Sequence, residues 1–384
     1  DGLPQTAFVG QPYTGSFSCS NVGTADAAAG SLCGVSGLPA GVSVVSCSVN
    51  APSPGAGWVA GDNVPVGATV TCTVGGTPTA VGGSQVAGTT GATYDSNTAN
   101  NTATRAINTT APDMAISLAG LPTTAAVGVA YNGSFSCSNV GGAAAIADTQ
   151  CGVTGLPAGV AVVACTISPT SAGWSAGGSV PAGEAVTCTV YGTPTAPGSS
   201  TVAGTTGATN DSNPANNSTT RTINTTAPDM AISLAGLPAT ASVGVPYAGS
   251  FSCTNSGGAD AASGAACGVT GLPADVTVGT CTISPAGSTW SAGSNVPAGA
   301  TVSCPVSGTP TTAGNVTVTG TTGATHDSNP ANNSATLPMT VTAPDMAISL
   351  AGLPTTASVG TPYSGSFSWI PPMCLSACSP KRPR

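Results

Sequence analysis

The chain has 384 residues, of which 40% are hydrophobic and 5% charged, with 53 glycines, 32 prolines and a formal net charge of −8. Because Gly and Pro interrupt helices, and Thr and Val favour extended chain, this composition disfavours long helices and predicts β-structure. Three of the five basic residues lie in the last four positions, and no apolar run is long enough to cross a bilayer, so we expect neither a nucleic-acid partner nor a membrane span.

A period of 116 residues organises the chain, since Trp58, Trp174 and Trp290 recur at this interval and the tetrapeptide APDM begins at 111, 227 and 343. This period is too long for one coil of a solenoid and fits an independent domain. Repeat 1 aligns with the others from its GLP onward and is expected to lack the strand APDMAISLA that opens them. The predicted segments are repeat 1 (1–110), repeat 2 (111–226), repeat 3 (227–342), a partial repeat 4 (343–368) and an off-register Pro/Cys/basic tail (369–384).

Within each repeat the sequence predicts short strands in a fixed order. In repeat 2 these are MAISL, GSFSCSN, VAVVACTIS, EAVTCTV, STVAGTTGAT and STTRTIN, separated by turn sequences such as LPAG and GTPTAPG. The alternation of apolar residues with Thr in EAVTCTV is typical of a half-buried strand. About seven strands, with turns roughly every 8 to 15 residues, predict an all-β antiparallel sandwich. In repeat 3, Pro305 within VSCPV predicts an edge strand or a bulge.

Each repeat carries four cysteines at nearly the same spacing. They are Cys19, Cys33, Cys47, Cys72, Cys137, Cys151, Cys165, Cys188, Cys253, Cys267, Cys281 and Cys304. An even number in every repeat predicts structural disulfides formed in an oxidising compartment, whereas the spacing is unlike that of paired zinc ligands. Three pairings are possible in each repeat. We favour the sequential one, in which Cys137 joins Cys151 in the following loop and Cys165 joins Cys188 on a neighbouring strand.

The segment ATNDSNPANN at 208–217 has counterparts at 92–101 and 324–333. Its oxygen ligands at alternate positions suggest calcium, but one carboxylate is few for an ion with roughly six to eight ligands. Asx turns formed by Asp211, Asn213 and Asn216 explain the composition without a metal, and we favour no metal and no cofactor. The alternative is calcium, bridging Asp211 to Asp229 and equivalent pairs. The aspartates of this alternative are Asp95, Asp211, Asp229, Asp327 and Asp345.

Titratable groups that could converge for catalysis are scarce. His326 is the only histidine, and its counterparts are Tyr94 and Asn210. Glu184 is the only glutamate, and its counterparts are alanines. Acid–base catalysis requires such groups in positioned pairs. We therefore expect that this protein is not an enzyme.

The runs GLPAGVAVVACTIS and VPAGEAVTCTV, the closing D-x-N-x-x-N-N and the opening APDMAIS resemble the conserved-repeat domain of bacterial surface proteins. That domain is an immunoglobulin-like module related to the cell-adhesion-related domain of bacteria. The resemblance covers nearly all of residues 1–368 and implies tandem immunoglobulin-like sandwiches on secreted or surface-anchored proteins that act as stalks, adhesins or fibres. It implies no enzymatic activity, and four cysteines per repeat exceed the family's common pattern.

Two functions are compatible with these features. The near-identity of repeats 2 and 3 favours a structural subunit or stalk of a bacterial extracellular or cell-surface fibre, since a recognition site usually sets one repeat apart. The alternative is a surface adhesin that binds a glycan or host protein through its loops. Partial repeat 4 supplies a strand that we expect to complete repeat 1 of the next molecule, so that the chain associates with itself. The residues of this polymerisation strand are Met346, Ala347, Ile348, Ser349 and Leu350.

Overall fold

The computed structural model describes residues 2–370 except positions 29, 52, 53 and 263, with positions 369 and 370 described by their backbone alone. The tail predicted at 369–384 lies outside the described residues from position 371 onward. Across the described part of the chain the regular structure is β-strand, apart from three short 3-10 helices. The chain divides into two compact units, Asp1–Thr225 and Thr226–Arg384.

The first unit begins with the strands of repeat 1. They are β1 (Thr6–Phe8), β2 (Tyr13–Ser20), β3 (Leu32–Ser36), β4 (Val42–Val49), β5 (Ala56–Gly57), β6 (Thr69–Gly76), β7 (Gly82–Gly91) and β8 (Thr102–Thr110), with a 3-10 helix at Thr98–Asn100. One sheet has the order β1-β8-β7-β3 and the other β2-β6-β4-β5. β1 is parallel to β8, and the other pairs are antiparallel.

Repeat 2 repeats this order with one additional edge strand. Its strands are β9 (Met114–Ser117), β10 (Thr124–Ala126), β11 (Tyr131–Asn139), β12 (Gln150–Thr154), β13 (Val160–Ile167), β14 (Ala172–Gly173), β15 (Ala185–Gly192), β16 (Gly198–Gly207) and β17 (Ser218–Thr226), with a 3-10 helix at Pro214–Asn216. The sheets are β10-β17-β16-β12 and β14-β13-β15-β11-β9. The additional strand, β9, lies antiparallel to β11 at the edge of the second sheet.

The second unit contains repeat 3 and a separate two-stranded ribbon. The strands are β18 (Met230–Ser233), β19 (Thr240–Ser242), β20 (Tyr247–Asn255), β21 (Ala266–Thr270), β22 (Val276–Val278), β23 (Thr282–Ser284), β24 (Ser288–Thr289), β25 (Thr301–Gly308), β26 (Gly314–Gly323), β27 (Ser334–Thr342), β28 (Ala347–Ser349) and β29 (Ser368–Ile370), with a 3-10 helix at Pro330–Asn332. The sheets of repeat 3 are β19-β27-β26-β21 and β18-β20-β25-β23-β24, with β22 also paired to β25. Among the described residues, β28 pairs only with β29.

Side chains that alternate along the strands fill the space between the two sheets. In β15, Val186, Cys188 and Val190 are 0% exposed while the intervening threonines face solvent. Phe135 and Ile223 meet them in the same core. Two facing sheets in this strand order form an immunoglobulin-like sandwich, so the all-β, disulfide-stapled fold class predicted from the sequence is confirmed.

In each repeat a buried tyrosine hydrogen-bonds the segment that precedes its own strand. The Tyr131 hydroxyl donates to the carbonyl of Pro122 at 2.9 Å. Burial raises the pKa of Tyr131 above its ordinary value, and the nearby charge of Arg221 acts in the opposite direction with a smaller effect. Tyr13 and Tyr247 make the equivalent bond in repeats 1 and 3, and burial raises the pKa of each.

Within the described residues, six disulfides join the twelve cysteines of the repeats in sequential order. The pairs are Cys19–Cys33, Cys47–Cys72, Cys137–Cys151, Cys165–Cys188, Cys253–Cys267 and Cys281–Cys304. In each repeat one bond connects the two sheets. The other connects neighbouring strands of one sheet in repeats 1 and 2, where Cys165 and Cys188 are direct register partners, and in repeat 3 it joins Cys281, between β22 and β23, to Cys304 of β25. Cys151 lies in strand β12 rather than in a loop as expected from the sequence, because Gly152 obscures the strand pattern of QCGVT.

Pro305 lies in the interior of a sheet. β25 pairs with β20 on one side and with β22 and β23 on the other, so the prediction of an edge strand is wrong. In repeat 2 the corresponding partner strand, β13, is continuous but shifts register between Val162 and Ala164. In repeat 3 the partner is split into two strands at this level. The missing N–H of Pro305 therefore falls where the ladder is already irregular, which is where a sheet tolerates proline.

Candidate functional site: the edge-strand clamp

The loop that contains ATNDSNPANN connects β16 to β17 and forms one of the three predicted Asx turns, that of Asp211. The Asn213 side chain caps no backbone N–H of the 3-10 helix that follows it, so the turn predicted for Asn213 is wrong. Asp211 Oδ1 accepts a hydrogen bond from the Asn213 N–H at 3.1 Å, and Pro214–Asn216 form one turn of 3-10 helix. The preceding Asn210 has a φ of 62°, in the left-handed region, and its counterparts in repeats 1 and 3 have a φ of 63°. Asn and His tolerate this conformation better than most residues but Tyr rarely adopts it, so in repeat 1 the loop shape is held by more than local preference.

The other carboxylate oxygen of this loop contacts the first strand of the same repeat. Asp211 Oδ2 accepts a hydrogen bond from the Met114 N–H at 3.2 Å, across 97 positions of sequence. Ser212 donates its N–H and its Oγ–H to the carbonyl of Pro112 at 2.9 and 3.1 Å. The loop therefore binds the APDM segment as well as turning the chain.

Asp113 of this segment is bound from two directions. Asn216 Nδ2 donates to Asp113 Oδ1 at 2.8 Å, and the Asp113 N–H donates to Asn139 Oδ1 at 3.1 Å. Asn139, the last residue of β11, is 0% exposed. It also accepts from the Gly141 N–H at 3.1 Å and donates to two main-chain carbonyls at 2.8 and 2.9 Å. Asn216 thus forms a contact with the strand in place of the Asx turn expected for it.

We call Asp211, Ser212, Asn216 and Asn139 the edge-strand clamp of repeat 2. Repeat 3 has the same clamp, with bonds Met230 N–H to Asp327 Oδ2 (3.2 Å), Ser328 Oγ to Pro228 O (3.0 Å), Asn332 Nδ2 to Asp229 Oδ1 (2.8 Å) and Asp229 N–H to Asn255 Oδ1 (3.1 Å). Sequence reasoning missed the buried asparagine. The available signal was the Asn that ends GSFSCSN in repeat 2 and GSFSCTN in repeat 3.

Apolar side chains complete the binding of the edge strand. Met114 is 0% exposed and Leu118 is 4% exposed. A methyl group placed on Gly204 of β16 would lie 2.8 Å from Ile116 Cδ1 and 2.9 Å from Leu118 Cδ2. Gly204 therefore leaves the space that these two side chains occupy. Gly320 leaves the same space in repeat 3, where the distances are 2.7 and 2.8 Å.

Repeat 1 has the clamp residues, but no edge strand among the residues described. β2 pairs with β6 on one side, and no strand pairs with its other side in the described part of the chain. Asp95 Oδ1 accepts from the Asn97 N–H at 3.0 Å, as in the other repeats. Asp95 Oδ2 accepts no hydrogen bond from the described residues. The Asx turn of the repeat 1 clamp is therefore formed, but its second carboxylate oxygen binds no edge strand among the described residues.

A groove runs along this open edge of repeat 1. A methyl group placed on Gly88, the counterpart of Gly204, would approach only Ala103 O, at 3.6 Å. The space that two side chains fill in repeat 2 thus appears in repeat 1 as a cavity of about 220 Å³. Its lining includes Phe17, Cys19, Val35, Val86, Gly88 and Asn100. We call it the repeat 1 groove.

The residues of the predicted polymerisation strand lie on the surface. β28 covers Ala347–Ser349, and Met346, Ile348 and Leu350 are 67%, 68% and 57% exposed. The counterparts of Met346 and Leu350 in repeats 2 and 3 are buried. Three apolar side chains on one short segment are thus left without the cover that the same sequence has elsewhere in the chain.

The aspartates of the calcium alternative serve the clamp in repeats 2 and 3. Asp211 binds the Met114 N–H within repeat 2, and Asp229 accepts from Asn332 within repeat 3. Within the described ranges there is no group of three or more His, Cys, Asp or Glu that could hold a metal ion. The calcium hypothesis, which also includes Asp95, Asp327 and Asp345, stays a prediction.

Comparisons with known proteins give distant structural likenesses. No family model matches the chain, and no curated protein matches it significantly. The chain is similar to the C-terminal domain of the AgI/II polypeptide BspA of Streptococcus agalactiae, with 9% identity, a TM-score of 0.34 and coverage of 60% of this chain and 99% of that one. An ICAM-5 D1–D4 ectodomain fragment has 13% identity and a TM-score of 0.25, with coverage of 91% of this chain and 79% of that one. The adhesin InvE of Yersinia pseudotuberculosis has 11% identity and a TM-score of 0.20, with coverage of 60% of this chain and 58% of that one.

The identities of these three structures to the chain are 13% or less and their TM-scores are 0.34 or less. The conserved-repeat family that the sequence resembles stays a prediction. Among the described residues, no helix is long and apolar enough to cross a membrane.

Proposed function

We propose that this chain is a structural subunit or stalk of a bacterial extracellular or cell-surface fibre, built from tandem immunoglobulin-like repeats that join head-to-tail by strand addition. The observation that carries the proposal is the connection between repeats 1 and 2. β8 ends at Thr110 and β9 begins at Met114, so three residues link the two sandwiches. Flexible linkers are longer segments, or segments whose backbone makes no hydrogen bonds to the domains they join.

Every linker residue is hydrogen-bonded to repeat 2. The Ala143 N–H donates to Ala111 O at 3.3 Å, and the Val140 N–H donates to Asp113 O at 2.8 Å. The edge-strand clamp adds the four bonds already described to Pro112 and Asp113. A linker held in this way transmits force and orientation from one repeat to the next, as a spacer or fibre subunit requires.

The remaining parts of the proposal rest on the sequence. The strand of partial repeat 4 supports another copy of the chain as the main partner, and the scarcity of titratable groups supports a protein with no catalytic role and no cofactor. Six disulfides fit an oxidising compartment, which supports a location outside the cell or at its surface. The alternative, an adhesin that binds a glycan or host protein through its loops, predicts a different outcome in the experiment below.

The test is electron microscopy and light scattering of the secreted chain over a range of concentrations. A variant that ends at residue 342 lacks the polymerisation strand, and a control that ends at residue 370 keeps β28 and β29 and lacks residues 371–384. We expect the full chain and the control to form fibres and the shorter variant to stay monomeric. Fibres from the shorter variant would refute strand addition. A chain that stays monomeric at every concentration and binds a glycan would favour the adhesin.

A further inference from the structure

We infer that a cavity between repeats 1 and 2 binds one neutral sugar ring of a glycan. The cavity has a volume of about 190 Å³ and lies within the first compact unit. We call it the junction cavity. It is lined by the turn between β1 and β2, by the linker and by two loops of repeat 2, and its residues include Val9, Gln11, Pro112, Ile146 and Asn210. The inference does not depend on strand addition, because it uses no residue of partial repeat 4.

Hydrogen bonds hold the walls of the junction cavity in place. In repeat 1 the Val9 N–H donates to Thr110 O and the Gly10 N–H donates to Pro78 O, both at 2.9 Å. Asn210 Nδ2 donates across the junction to Val9 O at 3.5 Å. A methyl group added to Gly10 would clash with the Asn210 amide, so glycine is needed for this approach of the two repeats. A site with fixed walls loses less conformational freedom when a ligand binds.

Repeat 2 departs from the other two repeats in a loop that lines this cavity. At positions 144, 146 and 148 repeat 2 has Ala, Ile and Asp, where repeats 1 and 3 both have Asp, Ala and Gly. Ala144 and Ile146 line the cavity. Asp148 lies beside it, because its Oδ2 accepts a hydrogen bond at 2.9 Å from the hydroxyl of the lining residue Thr209. A recognition site usually sets one repeat apart from its neighbours, and here the difference coincides with a cavity.

The exchange at position 148 is one that the fold does not require. Asp148 has a φ of 51°, and its counterparts Gly30 and Gly264 have φ values of 73° and 70°. Glycine adopts this left-handed conformation freely, whereas Asp adopts it less readily. Residues held in such conformations are concentrated at ligand-binding positions. The Asp of repeat 2 therefore supports a binding role for this loop.

The chemistry of the lining fits a neutral sugar. Pro112 and Ile146 provide apolar surface for the C–H groups of a ring. The side-chain amides of Gln11 and Asn210 each donate and accept hydrogen bonds, as sugar hydroxyls do. None of the lining residues is charged, so a phosphate, sulfate or carboxylate would lose water there without gaining a positive partner. Mostly apolar sites with a few polar groups occur preferentially at interfaces between domains.

The experiment is saturation-transfer NMR on the full chain with the methyl glycosides of glucose, galactose, mannose and N-acetylglucosamine, and with methylammonium as a cationic probe. We expect saturable binding of at least one glycoside, with a Kd of about 1–10 mM for a ligand of this size. Ile146→Ala, which restores the residue of repeats 1 and 3, and Gln11→Ala should each weaken this binding at least fivefold. Val163→Ala is the matched control and should leave the Kd unchanged, because Val163 is 63% exposed, similar to Ile146 at 59%, and lies in β13 outside the cavity.

Three results would overturn the inference. The first is absence of saturable binding by all four glycosides, and the second is binding that Ile146→Ala and Gln11→Ala leave unchanged. The third is binding of methylammonium alone that is lost in Asp148→Asn, which would identify a cation as the ligand. Hydrogen exchange of the repeat 2 amides should be the same in Ile146→Ala as in the unmodified chain, so that weaker binding is not caused by unfolding. Binding that requires Ile146 and Gln11 supports the site whether or not the chain forms fibres.

Discussion

Replacing Asn139 with Ala removes the side chain that joins the edge strand to the rest of repeat 2. Asn139 is 0% exposed and makes four hydrogen bonds. The Val180 carbonyl keeps a second bond, from the Ala145 N–H at 2.9 Å. The variant therefore leaves three main-chain groups without partners, namely the N–H groups of Asp113 and Gly141 and the carbonyl of Ala143.

The expected loss of stability follows from these three groups. An unpaired buried polar group costs roughly 1–3 kcal/mol, so three groups at the lower value lower the free energy of unfolding of repeat 2 by about 3 kcal/mol. Asn21→Ala in repeat 1 is the matched control. Asn21 is partly exposed, has no edge strand to bind among the described residues, and makes three bonds. Water replaces much of what it loses, and we expect a cost of about 1 kcal/mol.

The assay is hydrogen exchange with mass spectrometry on the full chain, which reports each repeat separately. A loss of about 3 kcal/mol raises the exchange rate of the β9 and β11 amides on the order of a hundredfold. Equal changes of less than about 1 kcal/mol in both variants would refute the reasoning. They would mean that the buried asparagine does not secure the edge strand.

Four further predictions test the fold and the clamp. Gly204→Leu places side-chain atoms where Ile116 and Leu118 lie and should destabilise repeat 2 by about 1–3 kcal/mol in the same exchange assay. Gly88→Leu should change the free energy of unfolding of repeat 1 by less than about 0.5 kcal/mol. Equal effects would contradict a filled groove in repeat 2 and an open one in repeat 1. Burial raises the pKa of Tyr131 above its ordinary value of 10.0, so the unfolded chain loses this proton first, and the stability contributed by neutral Tyr131 is complete below pH 10 and is lost as pH rises through the higher folded-state pKa. The melting temperature of Tyr131→Phe should therefore fall less steeply between pH 9 and 11.5 than that of the unmodified chain. Parallel curves for the two proteins would argue against this. Removal of the disulfide between β13 and β15 with Cys165→Ser and Cys188→Ser should cost about 2–4 kcal/mol in repeat 2, measured by the same exchange assay, and no change would show that the unfolded chain is constrained by other means. A chelator should leave the melting temperature unchanged if the clamp works through direct hydrogen bonds, and a clear decrease would favour calcium at the aspartates.

The strands of the sandwich were predictable because their signal is local. The alternation of Val186, Cys188 and Val190 with threonine is contained in five residues, and it corresponds to the buried and exposed faces of β15. Sequential pairing of the cysteines could be preferred for a related reason, since each pair is separated by no more than 25 positions. Short separations limit the arrangements that a chain can adopt.

The clamp was not predictable from the same kind of signal. The turn formed by Asp211 Oδ1 involves a residue two positions away, and the sequence indicates it correctly. The bond from Met114 to Asp211 Oδ2 spans 97 positions, and no local property of either segment points to the other. Asn139 was missed for a second reason. Asparagine at the end of a strand is commonly a turn residue, and only its burial distinguishes this one.

The three-residue connection between repeats 1 and 2 also bears on how the chain meets proteases. An endoprotease must draw its substrate into an extended conformation, and exposed, loosely held segments are cut first. Residues 111–113 are fixed by main-chain and side-chain bonds, and one of them is proline. Cleavage at this junction therefore requires the edge strand to open first. We therefore expect the junction to resist cleavage for as long as the edge strand stays paired with β11.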